Sequence, residues 1–375
     1  MKYDYLVVGA GLYGAAFARA ATDSGRRVLV LDRRPHIGGN VYTEKKGGIH
    51  VHMYGPHIFH TDNSVVWDFV NRFADFNDFI NMPLAYSGGE FYHLPFNMHT
   101  FERMWGVKGA DEARRIIEQQ RESADADSSD SLEEYAIATV GTELYERFIK
   151  GYTEKQWGRK CGELPSSIIR RIPLRFEYDN RYFADRFQGV AVCGYTSMVH
   201  NMLDGIDIMP ETDYLHDKER FDALADTVVY SGSLDALYDY RFGMLEYRAL
   251  TFEHESLDIA DYQGNAVVNY VDAEIPWTRI TEHKWFNPVK KDSGADCDHT
   301  VISREYSSEW KPGKIRAYPV NDSANTALYN VYKAVADSDP KLIVGGRLGE
   351  YRYMNMDEVI ASALDAFAQF RHDPR

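Results

Sequence analysis

The chain has 375 residues, 44% of them hydrophobic and 14% aromatic, enough for a large core and more than one lobe. Its formal net charge of -15 argues against non-specific binding of nucleic acid or of an anionic membrane surface, so an anionic substrate would need locally clustered arginines. Cys161, Cys193 and Cys297 stand far apart with no C-x-x-C spacing, which reads as free thiols in a reducing compartment and predicts no metal site.

The chain opens directly into an apolar run, with no basic leader and cleavage site, so the expected compartment is the cytoplasm. The stretch from Leu6 to Ala21 is broken by Gly9, Gly11 and Gly14 and carries Arg19, which predicts a soluble core and no membrane insertion. Residues Tyr5-Leu6-Val7-Val8-Gly9-Ala10-Gly11-Leu12-Tyr13-Gly14, a small-residue helix, and Val28-Leu29-Val30-Leu31-Asp32 lay out a dinucleotide-binding βαβ unit. Gly9 permits the turn, Gly11 lets the backbone approach a pyrophosphate, and Gly14 lets helix and strand pack. The helix N-terminus offers free N–H groups to phosphates, and Asp32 can accept from ribose hydroxyls. FAD fits better than NAD. After Asp32 comes Arg33-Arg34-Pro35-His36-Ile37-Gly38-Gly39-Asn40, and a second glycine pair so soon after the acid is typical of flavoproteins of the glutathione-reductase type.

Further along, residues 64–79 carry Val65, Val66, Phe69, Val70, Phe73 and Phe76 at helical spacing, with Thr61, Asp62 and Asn63 as cap candidates. Residues 91–96 read as a short strand with an edge proline, and 111–121 as a helix. Residues 123–130 read as a solvated loop. Ser131 with Glu134 predicts a capping box, Gly141 a break, and Leu144, Tyr145, Phe148 and Ile149 a further helix. Val228-Val229-Tyr230 reads as a strand returning to the first domain. Alternation over 247–253, 266–271, 301–306 and 315–320 predicts an antiparallel sheet, with 290–299 as a surface loop. Leu342-Ile343-Val344-Gly345-Gly346 reads as a last buried strand entering a glycine turn, and 359–370 as an amphipathic helix.

The fold class is therefore α/β: a Rossmann-like FAD-binding domain with a helical lobe and an antiparallel-sheet domain. The expected division assigns 1–80, 176–240 and 336–375 to the FAD-binding domain. It assigns 81–99 and 241–335 to the sheet domain that takes substrate, and 100–175 to a helical lobe with a mobile loop.

Several longer segments carry a family resemblance. They are Gly55-Pro56-His57-Ile58-Phe59-His60-Thr61, Gly151-Tyr152-Thr153-Glu154-Lys155-Gln156-Trp157-Gly158, Asn269-Tyr270, Thr278-Arg279-Ile280-Thr281-Glu282-His283-Lys284, Ser303-Arg304-Glu305-Tyr306, Tyr318-Pro319-Val320-Asn321 and Gly346-Arg347-Leu348-Gly349-Glu350-Tyr351-Arg352-Tyr353. In order and spacing, from residue 1 to about 365, the chain resembles the bacterial UDP-galactopyranose mutases. The resemblance implies a flavin-dependent isomerase that interconverts UDP-galactopyranose and UDP-galactofuranose without net redox change. In that family reduced, non-covalently bound FAD is thought to attack the anomeric carbon through N5 while UDP leaves and returns. It further implies a homodimer that supplies galactofuranose for surface polysaccharide.

Residue by residue, the resemblance makes Arg171 and Arg279 the pair that clamps the diphosphate, a role suited to guanidinium forks facing a leaving anion. It places the catalytic candidate His60 in the loop that approaches the flavin, where it would tune the flavin or contact the sugar. Tyr182, Tyr318 and Tyr353 would contact phosphates, Tyr152 would stack on uracil, and Trp157 would close over the sugar on a lid hinged at Gly151 and Gly158. Asn81 would make a polar contact on the sugar or the flavin side, Glu305 would place a carboxylate near the sugar, and Asn269 would bind substrate. Ile149 stands where an aromatic often flanks the base. Asn355 replaces an aspartate found in several family members, so it is a polar contact and not a base. Cofactor contacts are expected from Gly9, Gly11, Leu12, Gly14, Asp32, Arg33, Gly39, Asn40, His57, Ile58, Gly346, Arg347, Tyr353 and Met354. The competing readings are an FAD-dependent oxidoreductase of the amine-oxidase kind and a non-catalytic nucleotide binder.

Overall fold

The computed structural model describes residues 2–121, 129, 131–169, 174–287 and 297–371. A parallel sheet of five strands runs in the order Leu342–Val344, Ala225–Tyr230, Tyr3–Val8, Val28–Leu31, Asp207–Met209. Strand Val28–Leu31 is buried at every residue, as expected for an inner strand covered on both faces. One face is covered by helices Leu12–Asp23, Tyr195–Met202 and Met356–Arg371, where Tyr5, Phe17 and Phe367 meet edge to face at 5.3–6.3 Å. The other face packs on Tyr214, Phe221, Leu234, Leu237 and Tyr332. Tyr332 lies on helix Ser323–Asp337, so this helix serves the parallel sheet although its sequence follows the antiparallel strands.

A second sheet of seven strands has the order Arg316–Pro319, Tyr247–Leu257, Thr300–Glu309, Arg279–Glu282, Val267–Tyr270, Leu84–Ser87, Glu90–His93. It is antiparallel throughout except where Val267–Tyr270 runs parallel to Leu84–Ser87. The alternation in the sequence undercounts the length of its two longest strands, which pair over ten residues from Arg248↔Glu309 to Leu257↔Thr300. The edge strand Glu90–His93 ends before Pro95, which has no N–H to offer a ladder. Below that edge, a helical lobe buries Phe96, Phe101, Ile117, Leu132, Leu144 and Phe148 against Ala85 and Tyr92 of the sheet and Val271 of the turn beside it.

Local signals act largely as the sequence suggests. The Asn63 side chain accepts from the Val65 and Val66 N–H groups at 3.0 and 3.3 Å, and Ser131 Oγ accepts from Glu134 N–H at 3.2 Å. The helix capped by Asn63 stops at Val70, however; Phe73 reaches the core from the turn that follows, and Phe76 packs against it from an isolated β-bridge with Ala191. Two short pairings escape the sequence pattern: the hairpin Thr43–Lys46 with Ile49–His52, turned on Gly47 and Gly48 at positive φ, and Phe59–Thr61 with Phe187–Gly189. The polar insert expected at 290–299 falls mostly outside the described residues, as does 123–130 apart from Ser129. No described helix is long and apolar enough to cross a membrane.

Candidate active site

An open cavity of about 390 Å³ touches both sheets. At one end it is walled by the glycine turn that joins strand Tyr3–Val8 to helix Leu12–Asp23. Gly9 takes φ +109°, and a Cβ there would lie 2.3 Å from Ser231 Oγ. A Cβ on Gly14 would lie 1.9 Å from the Gly9 carbonyl, so this glycine sits beneath the turn and outside the cavity. The second glycine pair folds back onto the first: Gly38 N–H donates to Ala10 O at 2.8 Å, and a Cβ on Gly39 would lie 2.9 Å from Gly11 Cα. What remains is a narrow slot of main chain at a helix N-terminus that has no side-chain cap and no acid in its first turn. Such a slot suits a pyrophosphate.

Asp32 follows strand Val28–Leu31 and is buried. Its Oδ2 accepts from Ala10 N–H at 2.7 Å and its Oδ1 from Arg34 N–H at 2.8 Å. Both contacts hold the carboxylate in place and leave lone pairs for a ribose. Of the two neighbouring arginines, Arg33 is exposed and Arg34 is the more enclosed. Arg34 lies over the Tyr54 ring at 4.8 Å and donates to Asn40 Oδ1 at 3.0 Å. Sequence reasoning missed Arg34, Tyr13 and Tyr54; nothing in the spacing separates Arg34 from its twin. Arg34 Nη1, Arg347 Nε and Tyr13 Oη belong to cavity-lining residues and are buried without a hydrogen-bond partner among the described residues. Native structures seldom leave such atoms unpaired. The glycine slot, the placed carboxylate and these unpaired donors together fit a bound FAD. Leu12, Ile58, Gly346 and Met354 also line this part of the cavity.

The far wall is made of side chains. Arg279 opens its strand and is held from three sides: Nη2 donates to Tyr152 Oη at 2.8 Å, Nε to Asn269 Oδ1 at 3.2 Å, and Nη1 lies 3.8 Å from Glu305 Oε2. Asn269 and Glu305 are the ladder partners of Arg279 on its two neighbouring strands. Burial alone would weaken the guanidinium charge, but the Glu305 carboxylate and the Tyr152 phenol outweigh it and hold Arg279 well above its ordinary value. Glu305 is buried and also accepts from Thr278 Oγ1 at 3.1 Å.

Tyr318 and Tyr353 stack at 6.0 Å, and the Arg347 guanidinium lies over both rings, 5.8 and 4.8 Å from their centroids. Trp157 is tilted against Tyr318 at 6.4 Å. Between the two ends runs the glycine–proline loop. His57 shares its Nδ1 with Gly55 O at 2.8 Å, and burial pushes its imidazole down to about 4. It is therefore neutral near pH 7, with Nδ1–H donating and Nε2 left as an acceptor. His60 stacks on Phe183 at 3.6 Å and bonds Asp185 Oδ2 at 3.0 Å.

Of four further expected residues, Asn355 lines the cavity and Ile149, Asn81 and Tyr182 do not. Ile149 is buried in the core of the helical lobe and forms no part of the cavity wall. Asn81 is buried, and its carbonyl accepts from Tyr182 N–H at 2.8 Å. Tyr182 is exposed; its ring meets the cavity-lining Phe183 edge to face. Asn355 lines the cavity as the residue before helix Met356–Arg371, and its N–H donates to Glu358 Oε2 at 2.6 Å. Arg171 lies outside the described residues.

The hinged-lid reading of 151–158 needs correction. Gly151 has ordinary helical angles, φ -60° and ψ -42°, and continues the helix from the preceding turn. A Cβ on it would lie 2.4 Å from Val271 O, so close packing demands the glycine there. Gly158, at φ +66°, ends helix Gly151–Trp157 as a left-handed cap. The Gln156 carbonyl at this end accepts from Arg248 Nε at 2.8 Å and Ser307 Oγ at 2.5 Å, which fastens the helix to the sheet.

A family model described as UDP-galactopyranose mutase matches residues 147–353, and one described as an NAD(P)-binding Rossmann-like domain matches residues 7–73. The chain is 42% identical over 372 residues to a probable UDP-galactopyranose mutase of Klebsiella pneumoniae, covering 98% of this chain and 94% of that one. It is 38% identical over 368 residues to a dTDP-fucopyranose mutase of Escherichia coli, covering 96% of each. A crystal structure of reduced UDP-galactopyranose mutase has the same fold, with a TM-score of 0.77 at 13% identity over 98% of this chain and 95% of that one. The chain belongs to the UDP-galactopyranose mutase family of flavin-dependent isomerases.

Proposed function

We propose that this protein interconverts UDP-galactopyranose and UDP-galactofuranose with FAD bound in its reduced state and no net redox change. The observation that carries this reading is the place of Arg279, on the same cavity as the glycine slot and with its charge kept by Glu305. When bound and reduced, the flavin supplies the nucleophile for the anomeric carbon. Arg279 then holds the departing diphosphate through a planar fork, with Tyr152 and Asn269 fixing its direction. Tyr318 and Tyr353 offer phenolic donors to phosphate oxygens without adding charge. Burial pushes the Tyr318 phenol well above its ordinary value, which keeps it protonated and able to donate. Neutral His57 offers an acceptor to the flavin or a sugar hydroxyl, and Asp185 orients His60 beside the same loop. Arg171 completes the clamp by resemblance. The product would supply galactofuranose for surface polysaccharide in the cytoplasm.

The test is to reduce the protein with dithionite, add UDP-galactofuranose, and follow UDP-galactopyranose by chromatography. Many turnovers per reductant consumed, and none with oxidised protein, are expected. Product formed only in proportion to reductant, or oxygen-dependent oxidation of amines, would overturn the reading. Running dTDP-fucopyranose beside the UDP sugars decides the nucleotide, since a relative named for that substrate is 38% identical.

A further inference from the structure

Lys155 has no part in the mechanism above, yet its surroundings are unusual for a lysine. Its Nζ donates to four main-chain carbonyls, those of Tyr270, Asp272, Ile275 and Trp277, at 2.7, 2.8, 3.0 and 3.2 Å. All four belong to the connection between strands Val267–Tyr270 and Arg279–Glu282 or to its edges. Four carbonyl dipoles that point their negative ends at one spot repel one another unless a cation sits among them. Pro276 lies in this turn and has no N–H with which to relieve the crowding. Burial lowers the Lys155 ammonium to about 8, while Asp272 and Glu274 favour its charge. Carbonyls can only accept, so they too favour the charged form.

The turn is the one that delivers Arg279. Asn269, which takes the Arg279 Nε hydrogen, stands just before it, and Arg279 stands just after it. Tyr152, which takes the Nη2 hydrogen, is one helical turn before Lys155 on the same helix face. One helix therefore grips the hairpin twice, at Arg279 through Tyr152 and at the preceding turn through Lys155. The close approach at Gly151, where even a methyl group would meet Val271 O, brings the ammonium within reach.

We propose that the Lys155 ammonium serves as a built-in cation that shapes the 271–278 turn and so sets Arg279 against Tyr152, which makes Lys155 a positioning residue for the diphosphate clamp. This rests on the reading of Arg279 given above. The four oxygens lie 2.7–3.2 Å from the nitrogen, a cage for an ammonium-sized ion. Magnesium and calcium, which want oxygens at about 2.0–2.6 Å, do not fit it.

The test is Lys155→Ala, prepared as holoprotein and assayed in ammonium, potassium, magnesium and choline chlorides at matched ionic strength. In choline, kcat/KM should fall on the order of tenfold, chiefly through KM, with FAD content kept. Ammonium or potassium should recover most of that loss and raise the melting temperature; choline and magnesium should do neither. Lys155→Gln fills the cage with a neutral amide, so it should be impaired and insensitive to ammonium. Unchanged KM in Lys155→Ala without ammonium would overturn the proposal. So would a loss equal in all four salts, or failure to fold even in ammonium. If the parent protein fails to isomerise the sugar, the reading of the reaction falls, and the ammonium-dependent melting temperature still decides the lysine.

Discussion

At its glycine end the cavity is walled largely by main chain: Gly9, Gly11, Gly38 and Gly39 line a slot, a Cβ on Gly9 would lie 2.3 Å from Ser231 Oγ and one on Gly39 2.9 Å from Gly11 Cα, and a helix N-terminus faces it. At its far end the wall is side chains, with Arg279, Glu305, Tyr318 and Tyr353 brought together from separate segments. A slot lined by main chain recognises whatever carries a pyrophosphate, and at Gly9 and Gly39 it has no room for a side chain. A side-chain wall can be changed one residue at a time, and each change alters affinity or rate before it alters the fold.

The largest expected effect breaks the main-chain end. Gly14→Val would place a Cβ 1.9 Å from the Gly9 carbonyl, on a turn that cannot move without losing the Gly38–Ala10 hydrogen bond. We expect colourless or insoluble protein, read by flavin absorbance on purification. A yellow, fully active variant would show that the turn is not the cofactor's seat.

Changes at the side-chain end should be smaller and should spare FAD. Glu305→Gln removes the carboxylate that sustains the Arg279 charge, and we expect kcat/KM to drop by about tenfold or more. Full activity would mean that Tyr152 and Asn269 suffice to place the guanidinium. Tyr318→Phe removes one neutral donor, for an expected loss of roughly tenfold or less, visible in UDP affinity by calorimetry. An unchanged affinity would leave Tyr318 as a packing partner of Tyr353 and Trp157.

The mildest test is acid. Burial holds His57 down to about 4 and His283 down to about 3, against an ordinary 6.5. An imidazole with a depressed native value binds fewer protons folded than unfolded. Stability is therefore complete above pH 6.5 and declines as pH falls towards 4. The melting temperature should drop between pH 7 and 5, and His283→Gln should flatten that slope. A flat profile in the parent would refute the neutral histidines.

The same contrast explains what the sequence revealed. The glycine end is contiguous: strand, turn, helix, strand and acid follow one another within 32 residues, so spacing alone identifies it. The far end has no such spacing. Arg279 opens a four-residue strand, and its partners Tyr152, Asn269 and Glu305 lie far apart in the chain. Only long motif resemblance brings these residues forward. Pattern also misleads where one residue type serves two ends: Gly151 and Gly158 look like a matched pair of hinges, yet one is a packing contact and the other a helix cap. The apolar spacing of Phe73 and Phe76 predicts a helix from Ser64 to 79, whereas a turn carries Phe73 to the core and an isolated β-bridge to Ala191 carries Phe76.

The most direct test of the division between the two ends is UDP titration by calorimetry of the holoprotein and of Arg279→Ala, with flavin measured in both. The account predicts equal FAD content and a loss of UDP affinity or turnover on the order of a hundredfold in the variant. Loss of flavin from Arg279→Ala, or UDP binding and turnover equal to the parent, would contradict it.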